Sequence, residues 1–135
     1  MAKRVLVVDD HAPTRSTIRA LLEADKGQEF KVVEAGTGTD CLKAFDKHGP
    51  YDLVLLDIML PDLDGYEVCR ALRRVDQHVP IIFITGQRDL KDYHTGREAG
   101  GDSYLVKPIS SAALRSSVHL FTTLNRKPRE PEPAQ

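Results

Sequence analysis

The chain has no tryptophan, only two cysteines and two methionines, and 6% aromatic residues in 135 positions. Cys41 and Cys69 form no C-x-x-C pair. Cysteine usage therefore points away from a disulfide framework and towards two apolar core thiols in a cytoplasmic setting. His11, His48, His78, His94 and His119 show no metal-ligand spacing. An excess of one charge is lacking too: 19 Lys and Arg against 20 Asp and Glu give a net charge of −1. That balance offers no field for a polyanion, so no direct nucleic-acid contact is expected. No apolar run approaches the roughly 18 residues that a membrane span requires. The opening "MAKRVLVVDD" turns acidic without a small-residue cleavage site, and does not read as a signal peptide.

What is present is the make-up of one globular domain: 41% hydrophobic and 29% charged residues in a length that can bury a core. Five apolar runs, at 4–8, 30–34, 53–56, 81–84 and 104–106, alternate with helix-like segments. Strand alternating with helix at this spacing predicts a parallel sheet with right-handed crossovers. The second run alternates polar and apolar residues, as an edge strand does, whereas the first, third and fourth read as buried on both faces. Pro13 suits the first turn of a helix carrying Ile18, Leu21 and Leu22, and Leu42 and Phe45 mark a second that stops at Gly49-Pro50. Tyr66, Cys69, Leu72 and Val75 form the stripe of a third. Ser110 or Ser111 caps a fifth with Leu114, Val118, Phe121 and Leu124 inward. The fourth, "RDLKDYHTGREAG", has few apolar anchors and is expected to dock least firmly. Residues 1–124 read as one domain, and the Pro-rich, charged 125–135 as a tail or linker.

The stretch "LVLLDIMLPDLDG" (53–65) runs from a buried strand straight into Asp57, and Pro61 and Gly65 then mark a loop. Asp57 is thereby placed at the carboxyl end of a central strand, the edge where open parallel sheets bind ligands. The same edge receives Asp9 and Asp10 from the first strand, Thr85 from the fourth and Lys107-Pro108 from the fifth. Two carboxylates about 5 Å apart repel by roughly 3 kcal/mol at an effective dielectric near 20, so three of them either bind protons or recruit a cation. An oxygen-only donor set favours a hard ion that keeps some of its waters, which selects Mg²⁺. Asp10 and Asp57 are the direct ligands expected, Asp9 acts through water, and the Met59 carbonyl completes the shell. A carboxylate can attack phosphorus to give an acyl phosphate. Asp57 is the candidate nucleophile, with Lys107 and the Thr85 hydroxyl on the phosphoryl oxygens. A cis Lys107-Pro108 bond would aim the ammonium inward, and sequence leaves the isomer open.

"VLVVDDH", "LVLLDIMLPDLDGYEV", "IIFITG" and "GGDSYLVKPIS" together closely resemble the CheY-like receiver domain of two-component response regulators, over residues 3 to about 124. The resemblance implies a doubly wound, flavodoxin-like (βα)5 α/β domain, its five-stranded parallel sheet in the order 2-1-3-4-5 with helices on both faces. It implies that Asp57 takes a phosphoryl group from a sensor histidine kinase or a histidine phosphotransfer protein, with Mg²⁺ held by Asp9, Asp10 and Asp57. It further implies that Thr85 and Tyr104 switch on phosphorylation and that Lys107 contacts the phosphoryl group. The face made by helix 4, strand 5 and helix 5 would then be remodelled towards a downstream protein or output domain, or a phosphorylation-dependent homodimer. Gly86, Gly101 and Ser103 depart from the commonest pattern, and Ser103 removes an acid that supports one dimer mode. Met59 and Gln87 lie where the family tunes phosphate lifetime.

His11 is a solvated loop residue, His119 is assigned to the output face, and Lys91, Arg97 and Arg115 are solvated helix charges. "GTGTDC" (36–41) lacks the third glycine of a dinucleotide loop. A metal-dependent phosphohydrolase would need a general acid near Asp57, where Met59 stands. A phosphate-independent scaffold would have no use for an intact Asp9, Asp10, Asp57, Thr85 and Lys107. The expectation is thus a signalling switch that catalyses only its own phosphorylation and dephosphorylation.

Overall fold

A strand that is apolar at every position has to be covered on both faces, and the sheet order achieves this for three of the five. The computed structural model describes residues 2–86 and 90–123, with backbone alone for 90–92. Strands β1 (Lys3–Val8), β2 (Phe30–Ala35), β3 (Leu53–Asp57), β4 (Ile81–Thr85) and β5 (Ser103–Val106) alternate with helices α1 (Ala12–Glu23), α2 (Gly38–His48), α3 (Gly65–Val75), α4 (Leu90–Ala99) and α5 (Ser111–Thr123). All pairings are parallel and the order is β2-β1-β3-β4-β5. Every residue of β3 and β4 is buried. The alternating β2 lies on the edge, as expected. One core layer takes Phe45, Tyr66, Cys69 and Leu72 against Leu6, Val54, Leu56 and Phe83. The other takes Ile18, Leu22, Leu114 and Val118 against Val5, Leu53, Leu55 and Ile84. Both cysteines are buried in the first of these layers as free thiols, and burial pushes the Cys41 thiol up to about 12.

The strands run one residue further than their apolar stretches, and the extra residues are Asp57 and Thr85. Ladder bonds carry the pairing past the hydrophobic run: Ile58 N donates to Ile84 O at 3.2 Å and Lys107 N to Thr85 O at 2.7 Å. Helix starts follow the capping signals. Pro13 lies in the first turn of α1, Thr37 accepts from Asp40 N, and Asp64 accepts from Tyr66 N. Ser110 Oγ accepts from Ala113 N at 3.0 Å, so Ser110 rather than Ser111 caps α5. Val75 departs from the expected stripe. It is 75% exposed because the last turn of α3 extends beyond the sheet it covers. His119 also differs: its Nε2 lies 2.7 Å from Asp25 Oδ2 and its ring meets Phe30 edge-on, so it faces the α1–β2 turn. Leu124, Gln87, the Lys91 side chain and the 125–135 tail lie outside the described residues. Among the described residues no helix is long and apolar enough to cross a membrane.

Arg73, near the end of α3, joins that helix to the turns that lead into β4 and β5. Its guanidinium donates to Gly100 O at 2.9 Å, Val79 O at 2.6 Å and Asp102 Oδ2 at 3.0 Å, and the same Asp102 oxygen accepts Ile81 N at 2.8 Å. Both side chains are largely buried, at 11% and 13% exposure. Truncation takes the guanidinium from the carbonyls of Gly100, Val79 and Asp76 and from the Asp102 carboxylate together, which is costlier than loss of a surface pair. Arg73→Ala is expected to lower stability by about 3 kcal/mol in denaturant melts; a change under about 0.5 kcal/mol would show that the network contributes nothing.

Candidate functional site

Two aspartates at neighbouring strand ends are held in the same way. Asp9 follows β1, and its Oδ1 accepts the His11 amide at 2.8 Å. Asp57 ends β3, and its Oδ1 accepts the Met59 amide at 3.0 Å. Each carboxylate thus uses one oxygen on the backbone two residues on and keeps the other for the pocket. Both free oxygens meet the same cation: Lys107 Nζ lies 2.9 Å from Asp9 Oδ2 and 3.0 Å from Asp57 Oδ2. Asp9 is fully buried and Asp57 is 5% exposed. The Lys107–Pro108 peptide that carries the ammonium is cis.

The charges resolve accordingly. Burial lifts the Asp57 carboxyl above the usual carboxylate range; the Met59 amide and Lys107 hold it back, and the Asp9 charge pushes it further up. Burial alone would lower Lys107, but the carboxylates of Asp9 and Asp57 outweigh it and raise the ammonium above the usual lysine range. Oxygens of Asp9, Asp10 and Asp57 all lie within 4.8 Å of one another, with Asp10 on the exposed side. Asp9 Oδ2 receives no hydrogen bond, because the ammonium beside it approaches as an ion pair without hydrogen-bond alignment. A buried, unbonded carboxylate oxygen within a three-carboxylate cluster free of His and Cys fits a hard divalent cation.

Thr85 is buried at the end of β4, opposite Val106, one residue before Lys107. Met59 is 69% exposed, and its loop closes on itself through a bridge to Asp64 and a 2.8 Å bond from Gly65 N to Ile58 O. Gly65 is required there, since a Cβ would overlap the Asp57 carbonyl and Ile58. Asp62 ties the same loop to the start of α2, accepting from Gly38 N at 2.8 Å and from Thr39 N and Oγ1 at 2.9 and 2.7 Å. The Thr39 hydroxyl and amide bring the Asp62 carboxyl down to about 2. The His11 side chain is exposed, with Nδ1 2.7 Å from Thr14 Oγ1, so it is the backbone amide of His11 that meets the cluster.

Tyr104 of β5, paired in register with Phe83, belongs to an array of four rings. It stacks on Tyr93 of α4 at 5.2 Å and tilts against Phe83 at 5.4 Å, while Phe83 meets Tyr66 edge-on at 5.1 Å. The Tyr66 and Tyr104 hydroxyl oxygens are 3.3 Å apart. Two glycines make room: a Cβ at Gly96 would overlap the Tyr104 hydroxyl, and one at Gly101 the Phe83 ring. Helix α4, sparse in aliphatic anchors, therefore docks through a glycine face and a tyrosine stack. Of the residues singled out in the sequence, the structure brings Asp9, Asp10, Asp57 and Lys107 together, with Thr85 at the adjoining strand end and Tyr104 in the ring array. Sequence reasoning missed Asp62, Gly96 and the Tyr93 contact, and the only signal for the glycine was its helix-interior position, unfavourable by about 1 kcal/mol.

Two outcomes follow from this geometry. Because the Asp57 carboxyl is raised in the folded state, the folded chain binds that proton more readily than the unfolded one, and the ionised carboxylate costs stability at neutral pH. Asp57→Asn should raise the melting temperature at pH 7 by ~3–6 °C, and the gain should shrink as pH falls through the raised value towards 3.8; a gain independent of pH would refute the electrostatic cause. Glycine to alanine inside a helix normally stabilises by about 1 kcal/mol, but Gly96→Ala should destabilise by about 1–3 kcal/mol and shift the Tyr104 ring resonances, as overpacking does. Stabilisation with unshifted resonances would mean that the ring does not occupy this seat.

Comparison with known proteins points the same way. Residues 5–119 match the response regulator receiver domain family. The probable transcriptional regulator ycf27 of Guillardia theta is 43% identical over 117 residues, covering 86% of this chain and 44% of that protein. The DNA-binding response regulator MtrA of Mycobacterium tuberculosis is 40% identical over 131 residues, covering 97% of this chain and 54% of that protein. The chain spans about half the length of these curated relatives. Among solved structures, the chemotaxis response regulator CheY4 of Vibrio cholerae matches with a TM-score of 0.81 at 26% identity, covering 90% of this chain and 99% of that one. A two-component response regulator from Clostridium difficile matches with a TM-score of 0.82 at 26% identity, covering 88% and 94%. With the sheet order and the acid–lysine edge described above, these matches show that the chain belongs to the response regulator receiver domain family of two-component systems.

Proposed function

We propose that this receiver is a phosphorylation-controlled switch with Asp57 as its acceptor. The observation that carries the reading is the Asp57 Oδ2–Lys107 pair at 3.0 Å, beside the Asp9 carboxylate at the open edge of the sheet. In the forward step Asp57 Oδ2 attacks the phosphorus of a phosphohistidine on a sensor kinase or phosphotransfer protein. An O–P bond forms, the P–N bond breaks, and the imidazole nitrogen leaves with the electron pair. Mg²⁺, bound by Asp9, Asp10 and Asp57 with the Met59 carbonyl, would neutralise the phosphoryl oxygens. Lys107 already lies between the two carboxylates and has only to pass its ammonium to the phosphoryl group. Thr85, buried at the adjoining strand end, offers its hydroxyl to another oxygen.

The response then passes to the α4–β5–α5 face. Tyr104 is the link, because its ring packs on Tyr93 of α4 while its strand leads directly to Lys107. Residues 1–124 act as the receiver and 125–135 as a linker-like tail in this reading. The signal is delivered in the cytoplasm to an output domain, a separate protein or a second copy, and this domain makes no contact with nucleic acid or membrane. A hydrolase reading has less support, because exposed Met59 occupies the place where a general acid would serve.

Intact-mass analysis after incubation with a small phosphodonor and Mg²⁺ tests the proposal. One added phosphoryl group is expected on the wild-type chain, and none on Asp57→Asn or in EDTA. An unmodified wild-type chain, or a phosphoryl group retained by Asp57→Asn, would overturn it.

A further inference from the structure

Arg15 lies one turn into α1 and belongs to none of the motifs that mark the site, yet its guanidinium reaches back to the loop that holds two of the three acids. Its Nη1 donates to the carbonyl of Asp9 at 2.5 Å, and its Nε donates to Glu34 Oε1 at 3.0 Å. The other Glu34 oxygen accepts Arg19 Nε at 2.7 Å, and Arg19 Nη2 goes on to Val32 O at 2.9 Å. The Arg15 side chain is 19% exposed and lies across Gly36, where an added Cβ would come within 3.2 Å of Nη1. The fork is thus fixed by Glu34 below and confined by the β2–α2 turn.

The bonded carbonyl belongs to the peptide that joins Asp9 to Asp10. Holding its plane fixes ψ of Asp9 and φ of Asp10 together, and so sets the direction in which the Asp10 side chain leaves the backbone. Asp10 needs this more than its neighbours do. Asp9 is fixed by the Ala35 carbonyl and the His11 amide, and Asp57 by the Met59 amide, whereas Asp10 is exposed. We infer that Arg15, braced by Glu34, is a positioning residue for the Asp9–Asp10 half of the cation site. The inference rests on the Mg²⁺ reading of the acidic cluster.

Charge and geometry make opposite predictions here, which makes the inference testable. Arg15 is a cation beside a cation site, so on charge alone its removal would tighten Mg²⁺ binding; a loss of affinity reports position. The experiment is a Mg²⁺ titration of the full chain by calorimetry, for wild type, Arg15→Ala, Arg15→Lys and Arg19→Ala. Arg19→Ala is the control, since it also loses an ion pair to Glu34 but leaves the Asp9 carbonyl bonded. Arg15→Ala is expected to weaken Mg²⁺ binding about tenfold, in line with other groups that orient metal ligands. Arg15→Lys, which keeps the charge but cannot hold Glu34 and the carbonyl in one planar fork, should lose several-fold. Arg19→Ala should stay within about twofold of wild type. The Asp10 amide resonance of the metal-free chain should shift in Arg15→Lys and not in Arg19→Ala, which keeps the test alive should Arg15→Ala fold poorly.

Wild-type affinity in either Arg15 variant, or an equal loss in Arg19→Ala, overturns the positioning role alone. A wild-type chain that binds no Mg²⁺ overturns the cation site itself and the positioning role with it.

Discussion

A single ammonium between two carboxylates is the interaction to which the rest of the molecule is fitted. Asp9 and Asp57 come from adjacent parallel strands, and burial removes the water that would otherwise separate their charges. Each has one oxygen fixed by a backbone amide two residues along, so the remaining oxygens cannot turn away from each other. Lys107 meets both, and it can do so only because β5 lies beyond β4 in the same sheet and ends level with Thr85. If the order of strands or the register of any pair changed, the triad would separate. Sheet topology is therefore an electrostatic requirement as well as a packing one.

Lysine here is a replaceable counterion. It neutralises the two acids well enough for the domain to fold around them, but it leaves Asp9 Oδ2 without a hydrogen bond and Asp57 with a raised affinity for protons. The pocket is thus incompletely satisfied by what the protein supplies itself. Around it the supports are rigid: a three-bond brace by Asp62 on one loop and the Arg15–Glu34 brace on another. Among the described residues, α4 meets the core through Gly96, Ala99 and the stack of Tyr93 on Tyr104. Firm supports beside the acids and a helix with few aliphatic anchors would suit the switch proposed above.

Most of this was readable before any coordinates, for identifiable reasons. Buried parallel strands announce themselves by uninterrupted apolar runs, and the charged or polar residue that ends each run is then assigned to the ligand edge by topology alone; that is how Asp57, Thr85 and Lys107 were found. Asp62 and Arg15 were hidden because each divides its bonds between backbone groups and a side chain on another element, Thr39 for Asp62 and Glu34 for Arg15, and residue type alone announces neither pairing. Val75 was misjudged because helical period says which face a residue is on but not where the covering sheet stops. His119 was misjudged because its partner, Asp25, belongs to a turn 94 positions earlier. The glycines of α4 and the turn after it read as weakness, and only the rings beside them show that the space is used.

Those glycines also govern how such a chain can diverge. Gly96 and Gly101 are each complementary to a ring that already fills the volume a side chain would need. A lineage can acquire alanine at 101 only after Phe83 has been trimmed, and at 96 only after Tyr104 has been trimmed or turned outward. The opposite order passes through an overpacked ancestor. The permitted order passes through one with a cavity, which a domain of ordinary stability tolerates once but not twice. Ring and glycine are therefore coupled in pairs: a side chain at either glycine position needs room that only a change at the facing ring can give.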